Sequence, residues 1–170
     1  SYIDSIPTVG ENEDLLSQYA PYAPDTKAVS LDEPATLNFE SDYPRMDGAT
    51  ALFPIYSAFA KALYPKEFLT DIVNENGVAT GLWENEYLRC TTTTGAYTSI
   101  VTGECDIICV AAPSEQQLQV AVDSGVELVF TPIGKEAFVF YVNSHNPIED
   151  IKVDQIQQIY SGNITSWSQL

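Results

Sequence analysis

The sequence is poor in basic residues, histidine and methionine. It has 7 lysines and arginines against 24 aspartates and glutamates, which gives a net charge of −17, and it has one histidine and one methionine. A chain with so few cations cannot neutralise a run of phosphates, which argues against nucleic acid as a partner. The same charge balance argues against docking on anionic lipid head groups.

Long apolar runs are also missing. No stretch approaches the roughly 20 apolar residues of a membrane span, and no signal peptide is visible. Because the sequence begins abruptly at Ser1, we expect that a targeting or anchoring segment precedes it in the parent protein. The 170 residues, 45% of them apolar, fit one domain or one lobe of a two-lobed protein.

Cysteine is scarce, and the three thiols belong to Cys90, Cys105 and Cys109. On a strand, Cys105 and Cys109 would lie about 13 Å apart at ~3.3 Å per residue, too far for a disulfide. The single histidine, His145, lies in a distant polar stretch, so the sequence offers no zinc site. We therefore predict three buried thiols, no bound metal and no cofactor.

Signatures of catalysis are absent as well. The chain has no GxSxG, no Walker loop, no CxxC and no HExxH. Asp106 begins an apolar run, where a turn or capping role is favoured over that of a general base. Trp83 and Trp167 are interpreted as packing groups. We expect a protein that binds its ligand without turnover, not an enzyme.

The composition changes along the chain. Residues 1–40 are acidic and contain several prolines, which is typical of a solvated leader or of a strap across a surface. From residue 41 onwards, strand-like and helix-like segments alternate. The predicted strands are LNFES, YLRCT, CDIICVAA, VELVFTPIG and EAFVFYVN. This alternation predicts an α/β fold, a three-layer parallel or mixed sheet covered by helices on both faces.

Three of the predicted helices have clear boundaries. In MDGATALFPIYSAFAKALYP, apolar residues recur at intervals of three and four, Asp47 or Thr50 can cap the helix, and Pro65 stops it. Its predicted apolar positions are Leu52, Ile55, Tyr56, Phe59, Ala60 and Leu63. In SEQQLQVAVDSG, Ser114 is the predicted N-cap and Gly125 lies just beyond the end. The last helix is predicted from about Val153 to Tyr160.

Two turns precede helices and carry small residues and hydroxyl groups. The first is Asp47-Gly48-Ala49-Thr50, and the second is Thr91-Thr92-Thr93-Thr94-Gly95. Each offers free backbone N–H groups at a strand-to-helix junction, which in a parallel sheet lies at the carboxyl edge where ligands collect. This combination suits an anion held by dipoles and uncharged donors, without a lysine.

Four blocks of the sequence are similar to consecutive parts of one family. They are DGATALFPIYSAFAKALYP, TTGAYTSIVTGECDIICVAAPSEQQ, TPIGKEAFVFYVNSHNP and VDQIQQIYSGNITSW, and they fall between Leu37 and Leu170. In this order they resemble the phosphate-binding protein of bacterial phosphate ABC transporters. The resemblance implies a type II periplasmic-binding-protein fold, with two α/β lobes that clamp a ligand between them. It also implies a transporter permease as partner and a location outside the cell membrane, tethered to it or periplasmic.

The resemblance assigns site residues to the two turns. It implies that Thr50 binds phosphate through its hydroxyl, together with the backbone of Ala51. In the second turn it places Thr93 near the family's ligand-binding serine, next to Thr94 and Gly95. The family also has an aspartate that accepts the proton of hydrogen phosphate, and Ala111 stands there in this chain. Asp47 is the nearest acceptor that could replace it.

The resemblance also divides the chain. Residues 41–144 correspond to the first lobe, and residues 145–170 to the crossover and the opening helix of the second. The family's arginine and Ser-Gly-Ser/Thr turn would follow Leu170, so we expect a missing second lobe to complete the site.

Two alternative functions stay open. One is a cell-surface sensor or interaction module that reuses the fold, and the other is an extracellular phosphoester hydrolase.

Overall fold

The computed structural model describes residues 12–135 and 139–170. The chain divides into two compact units, one ending at Phe130 and the other beginning at Thr131. The five α-helices of the described residues are α1 (Asn12–Tyr19), α2 (Phe53–Leu63), α3 (Thr92–Val101), α4 (Glu115–Asp123) and α5 (Val153–Tyr160). The two strands are β1 (Met46–Gly48) and β2 (Ile107–Cys109), and single 3₁₀ turns cover Thr50–Leu52, Lys66–Phe68, Thr70–Ile72 and Trp167–Gln169. In this part of the chain, no helix combines the length and the apolar character that a membrane crossing requires.

The sheet of the first unit is small and parallel. Strand β1 pairs with β2 so that Met46 faces Ile107 and Gly48 faces Cys109. On its other side, Met46 forms a parallel bridge with Leu88. Strand β1 is therefore central, with the segment after Tyr87 on one side and β2 on the other. The predicted α/β class is confirmed.

Helix α2 packs on the sheet through one face. Phe53, Tyr56 and Ala60 are buried at spacings of three and four, as an amphipathic helix requires. The predicted face was partly wrong, because Ile55 and Phe59 are exposed. The predicted cap was also wrong, since neither the 3₁₀ turn nor α2 has a side-chain cap hydrogen bond. Helix α2 ends before Pro65 as predicted.

The acidic leader is packed against the first unit over residues 15–28. Helix α1 contacts α2, and Ala20, Ala23 and Ala28 are buried. The Lys61 ammonium donates a hydrogen bond to the Ala28 carbonyl (3.0 Å). Of the two interpretations of the leader, this packing favours the strap, because a solvated leader would bury no alanines.

The first strand lies later in the sequence than predicted. Residues 37–41, the predicted strand LNFES, have no regular structure, and the strand forms at Met46–Gly48. Phe39 and Tyr43 belong instead to a cluster of aromatic rings with Tyr64, Phe68 and Tyr87, in which Phe68 and Tyr87 stack at 4.2 Å. Packing of these rings therefore determines the path of this segment, and β-pairing begins only after it.

An ion pair joins the beginnings of the two strands. The Arg45 guanidinium donates to both carboxylate oxygens of Asp106 at 2.9 Å, and the Arg45 amide donates to the same group at 2.8 Å. Asp106 therefore pairs with Arg45, which is a structural role but not the turn or capping role that the sequence favoured. Hydrogen bonds from Arg45 hold the pKa of the Asp106 carboxyl below its usual range.

The second unit has fewer regular elements than predicted. Helix α5 has the predicted bounds, Val153–Tyr160, with Ile156 and Ile159 half-buried. The predicted strand VELVFTPIG, which begins in the first unit, and the part of EAFVFYVN within the described residues have no strand structure. Glu136, Ala137 and Phe138 lie outside those residues. A strand needs a paired neighbour, and the described part of the chain supplies none here.

Candidate functional site

The carboxylate of Asp47 connects the two turns that the sequence singled out. Asp47 is in β1 and is fully buried. Its Oδ1 accepts hydrogen bonds from the Gly48 amide (2.7 Å) and the Thr91 amide (2.9 Å), and its Oδ2 accepts one from the Thr91 hydroxyl (2.5 Å). Both turns are thereby held at the carboxyl edge of the sheet.

A second contact joins the turns through Cys90. Its thiol donates to the hydroxyl oxygen of Thr50 across 3.8 Å, and it also lies at the backbone N–H of Thr92. Burial raises the pKa of all three thiols, that of Cys105 to about 12, so they stay protonated at neutral pH. The predicted burial of the three free cysteines is confirmed.

Beneath these groups lies the hydroxyl of Tyr56. Tyr56 is fully buried, and its hydroxyl makes no hydrogen bond of normal geometry with any described residue. The Cys90 thiol lies beside it, and Asp47 and Cys109 are nearby. Burial raises the pKa of Tyr56 far above its ordinary value, so the hydroxyl keeps its proton.

Two glycines allow the turns to approach their neighbours. A Cβ atom on Gly48 would lie 2.6 Å from the Cys109 carbonyl oxygen and 2.7 Å from the Tyr56 ring. A Cβ atom on Gly95 would lie 2.6 Å from the Thr91 hydroxyl oxygen. The Tyr56 ring therefore packs directly on the backbone of Gly48, and the first turn of α3 packs directly on Thr91.

The second turn is more helical than expected. Helix α3 begins at Thr92, so that Thr93, Thr94 and Gly95 lie in its first turn. The backbone N–H groups of Thr93 and Thr94 have no partner within the helix. Thr92 has a φ of 71°, a conformation rare for a β-branched residue. Backbone strain of this kind costs about 1–3 kcal/mol and is frequent at binding sites.

The predicted residues fall into two groups. The structure brings together Asp47, Gly48 and Thr50 with the first turn of α3. Ala51 lies in the 3₁₀ turn that begins at Thr50, and Ala49 directly precedes that turn. Ala111 is different, because its carbonyl accepts a hydrogen bond from the Tyr97 hydroxyl (2.8 Å) and its side chain is exposed. The sequence analysis missed Cys90 as a neighbour of Thr50, since no local pattern marks a contact between residues that are 40 positions apart in the chain.

Three other residues considered in the sequence are Trp83, Trp167 and His145. Trp83 and Trp167 are 61% and 49% exposed, so the interpretation of both as packing groups was wrong. His145 contacts Asn143 within the second unit. Over residues 12–135 and 139–170, no three histidine, cysteine or acidic side chains are grouped as a metal ion would require.

The groups at this edge of the sheet are mainly uncharged hydrogen-bond donors. It combines hydroxyl groups, the free N–H groups at the beginning of α3 and a buried thiol and phenol, without a lysine or arginine. A family model described as a PBP superfamily domain, where PBP stands for periplasmic binding protein, matches residues 33–170. No curated protein and no solved structure matches the chain. Because the matched residues make up most of the sequence, the chain belongs to the PBP superfamily.

Proposed function

We propose that this chain is part of an extracellular receptor that binds phosphate or a similar tetrahedral oxyanion and delivers it to an ABC transporter. Membership of the PBP superfamily supports a solute-binding role in general. We propose an anion as the ligand because the two turns are linked. The Thr91 hydroxyl donates to Asp47, and the Cys90 thiol contacts the Thr50 hydroxyl. This link places Thr50 and the first turn of α3 at one edge of the sheet.

The donors at this edge fit a tetrahedral anion better than a larger solute. A hydroxyl group and backbone N–H groups that converge from two turns can each reach one oxygen of such an ion. The likeness to phosphate-binding proteins, with Thr50, Ala51, Thr93 and Thr94 at the corresponding positions, points to the same class of ligand.

The acidic character of the chain is compatible with this proposal. A net charge of −17 slows the approach of an anion. Once the ion is bound, short hydrogen bonds dominate, because salt screens diffuse surface charge over ~8–10 Å. The proposed receptor binds its ligand without turnover. Its proposed protein partners are a transporter permease and a second lobe.

The test is a titration of the ¹⁵N-labelled chain with sodium phosphate at fixed ionic strength, followed by NMR. We expect the amide signals of Thr50, Ala51, Thr93 and Thr94 to shift together. Since the turns offer uncharged donors only, the dissociation constant should be on the order of millimolar. Thr50→Val should weaken binding about ten-fold through loss of a hydrogen bond to a charged group.

The matched control is Thr102→Val, which removes a hydroxyl at the other end of α3, where it donates to the Thr98 carbonyl. This variant should bind phosphate as the unmodified chain does. If phosphate shifts none of the four amides, or shifts amides elsewhere in the chain, the proposed site is wrong.

A further inference from the structure

The packed part of the leader, the strap of residues 15–28, buries mainly small side chains. The residues that it buries fully or nearly so are Ala20, Pro21, Ala23 and Ala28. Its larger apolar side chains stay half-buried, and they are Leu15, Leu16, Tyr19 and Tyr22. The large apolar side chains that are fully buried in the first unit lie between Phe53 and Leu88. Because hydrophobic stabilisation grows with the apolar area buried, the strap is held less strongly than this core.

Two residues of the strap have a backbone conformation that is rare for residues with a side chain. Tyr22 has a φ of 60° and Asp25 a φ of 55°. This left-handed region favours glycine, since a Cβ atom crowds the backbone there. Both residues can return to common conformations once the strap leaves the surface. The docked strap is therefore under backbone strain that favours its release.

Side-chain hydrogen bonds attach the strap to the rest of the first unit. The Ser17 hydroxyl accepts the Ala79 amide (3.0 Å), and the Tyr22 hydroxyl donates to the Lys61 carbonyl (3.1 Å). The Lys61 ammonium donates to the Ala28 carbonyl (3.0 Å). The partners of the strap in these bonds lie outside β1 and β2, so the bonds can break without disturbing the ladder of the sheet.

Backbone hydrogen bonds within the strap give it its shape. They include bonds from the Lys27 amide to the Gln18 carbonyl (2.7 Å) and from the Thr26 amide to the Ala23 carbonyl (3.2 Å). So short a segment does not keep such bonds once it leaves a packed surface. We therefore expect the strap to lose its internal and its external contacts together.

A loose linker connects the strap to the sheet. Residues 29–38 contain no helix or strand, and most of them are exposed. A cleft of about 390 Å³, lined by Leu31, Pro34, Lys61 and Ala62 among others, lies where this linker passes α2. The region that matches the family model begins at residue 33, inside the linker. The linker can therefore move without repacking the core.

We propose that residues 15–28 form a strap that opens and closes on the first unit as one piece, while β1, β2 and α2 stay folded. In the closed state the strap covers α2 around Lys61 and the turn at Gly77, which Pro24 contacts. In the open state this surface is exposed to solvent. The strap is thus a conformational device added to the superfamily domain.

The experiment is hydrogen exchange of the whole ¹⁵N-labelled chain, followed by NMR under native conditions. The Lys27 amide reports on the inside of the strap, and the Ala79 amide reports on its attachment through Ser17. We expect these two amides to share one protection factor. It should be at least about 100-fold lower than that of the Ala49 amide, which bonds to the Cys109 carbonyl at the sheet, because partial opening needs less free energy than global unfolding.

The Thr80 amide is the internal control, because it follows Ala79 directly but bonds to the Ile72 carbonyl (3.0 Å). It should keep a higher protection factor than Ala79. Equal protection of Lys27, Ala79 and Ala49 would show that the strap opens only with the whole unit, and the proposal would be wrong. It would be equally wrong if Lys27 and Ala79 differed widely, or if Thr80 exchanged as fast as Ala79.

Lys61→Met tests the attachment of the strap. This variant removes the hydrogen bond to the Ala28 carbonyl, so protection of Lys27 and Ala79 should fall about five-fold, as expected for one lost hydrogen bond. Protection of Ala49 should not change. Lys135→Met is the matched control, because it removes an exposed lysine of the second unit. An unchanged ratio between the strap and sheet amides in Lys61→Met would contradict the proposed closed state.

Asp25→Gly tests the strain and should act in the opposite direction. Glycine adopts a positive φ without strain, so the closed strap should gain, and protection of Lys27 and Ala79 should rise about two- to five-fold. Asp32→Gly is the control, since Asp32 lies in the linker and its φ is not positive. Equal effects of the two variants would contradict the strain assigned to the closed strap.

Discussion

Gly48 lies where strand β1, strand β2 and helix α2 meet. It pairs with Cys109 in the sheet, and the ring of Tyr56 packs on it from α2. A side chain at this position would contact the Cys109 carbonyl oxygen and the Tyr56 ring at once. Neither neighbour can move away easily, because one is backbone and the other is a fully buried ring.

Gly48→Ala should therefore destabilise the protein by about 2 kcal/mol, the usual cost of adding a methyl group to a filled core. The free energy of unfolding can be measured by urea titration with far-UV circular dichroism. Gly134→Ala is the control, because a Cβ atom there meets nothing within 4 Å. It should stay within about 0.5 kcal/mol of the unmodified chain. Equal effects of the two substitutions would contradict the close packing at Gly48.

Asp47 shows what the sequence could and could not predict at the level of single residues. The sequence predicted it in a turn with Gly48, Ala49 and Thr50, and this was partly wrong, because Asp47 and Gly48 lie in strand β1. Its partner could not be predicted, since Thr91 is 44 residues away and the contact depends on the tertiary fold. The same holds for Cys90 and Tyr56, which the sequence predicted only as buried groups.

Among the elements, the clamp between Arg45 and Asp106 fixes the register of β1 on β2. Three hydrogen bonds from Arg45 to this carboxylate stand at the beginning of the ladder, and the Arg45 carbonyl accepts from the Asp106 amide (2.9 Å). The strands are only three residues long, so few ladder hydrogen bonds are available to hold them. The side-chain clamp therefore supplements a short sheet.

This clamp should make stability depend on acid pH. The pKa of Asp106 is lower in the folded protein than in the unfolded chain, so the folded state binds this proton less tightly. Its stabilising contribution is present above the unfolded pKa of about 3.9 and is lost as the pH falls through the folded value. Asp106→Asn should lower the thermal midpoint at pH 7 and reduce the loss of stability below about pH 4.

The control for this variant is Glu33→Gln, which removes one acidic charge from the exposed leader. It should leave the midpoint at pH 7 close to that of the unmodified chain. Identical pH profiles of Asp106→Asn and the unmodified chain would show that the clamp contributes nothing to folding.

Helices were predicted better than strands, because helix boundaries depend on residues that are close together in the sequence. The Ser114 hydroxyl accepts the Gln117 amide (3.2 Å), and Gly125 has a φ of 70° just beyond α4, as the local sequence indicated. The bounds of α5 were predicted equally well. Strand pairing depends instead on distant partners, so the apolar residues before Met46 and after Gly125 were misassigned.

At the scale of the whole molecule, the region that matches the family model leaves out most of the packed leader. The match begins at residue 33, whereas the packed leader begins before it, with α1 and the buried Ala20 and Ala28. The leader therefore adds packing to α2 outside the region that defines the superfamily domain. Hydrogen bonds from Lys61 to the Ala28 carbonyl and from the Tyr22 hydroxyl to the Lys61 carbonyl hold it there.

The net charge of −17 is the strongest feature of the molecule as a whole, and it opposes folding through repulsion among the acidic groups. Two ion pairs, Arg45–Asp106 and Arg89–Glu104, offset it in the described residues.

We expect sodium chloride to stabilise the protein, because raising its concentration from about 0.01 M to about 0.15 M shortens the screening length from ~30 Å to ~8 Å. An increase of about 1 kcal/mol would raise the thermal midpoint by roughly 2–4 °C. The double variant Asp32→Asn, Glu33→Gln, which changes the charge from −17 to −15, should respond less to the same salt. A midpoint that falls with salt would mean that the attraction within the two ion pairs outweighs the repulsion among the remaining acids.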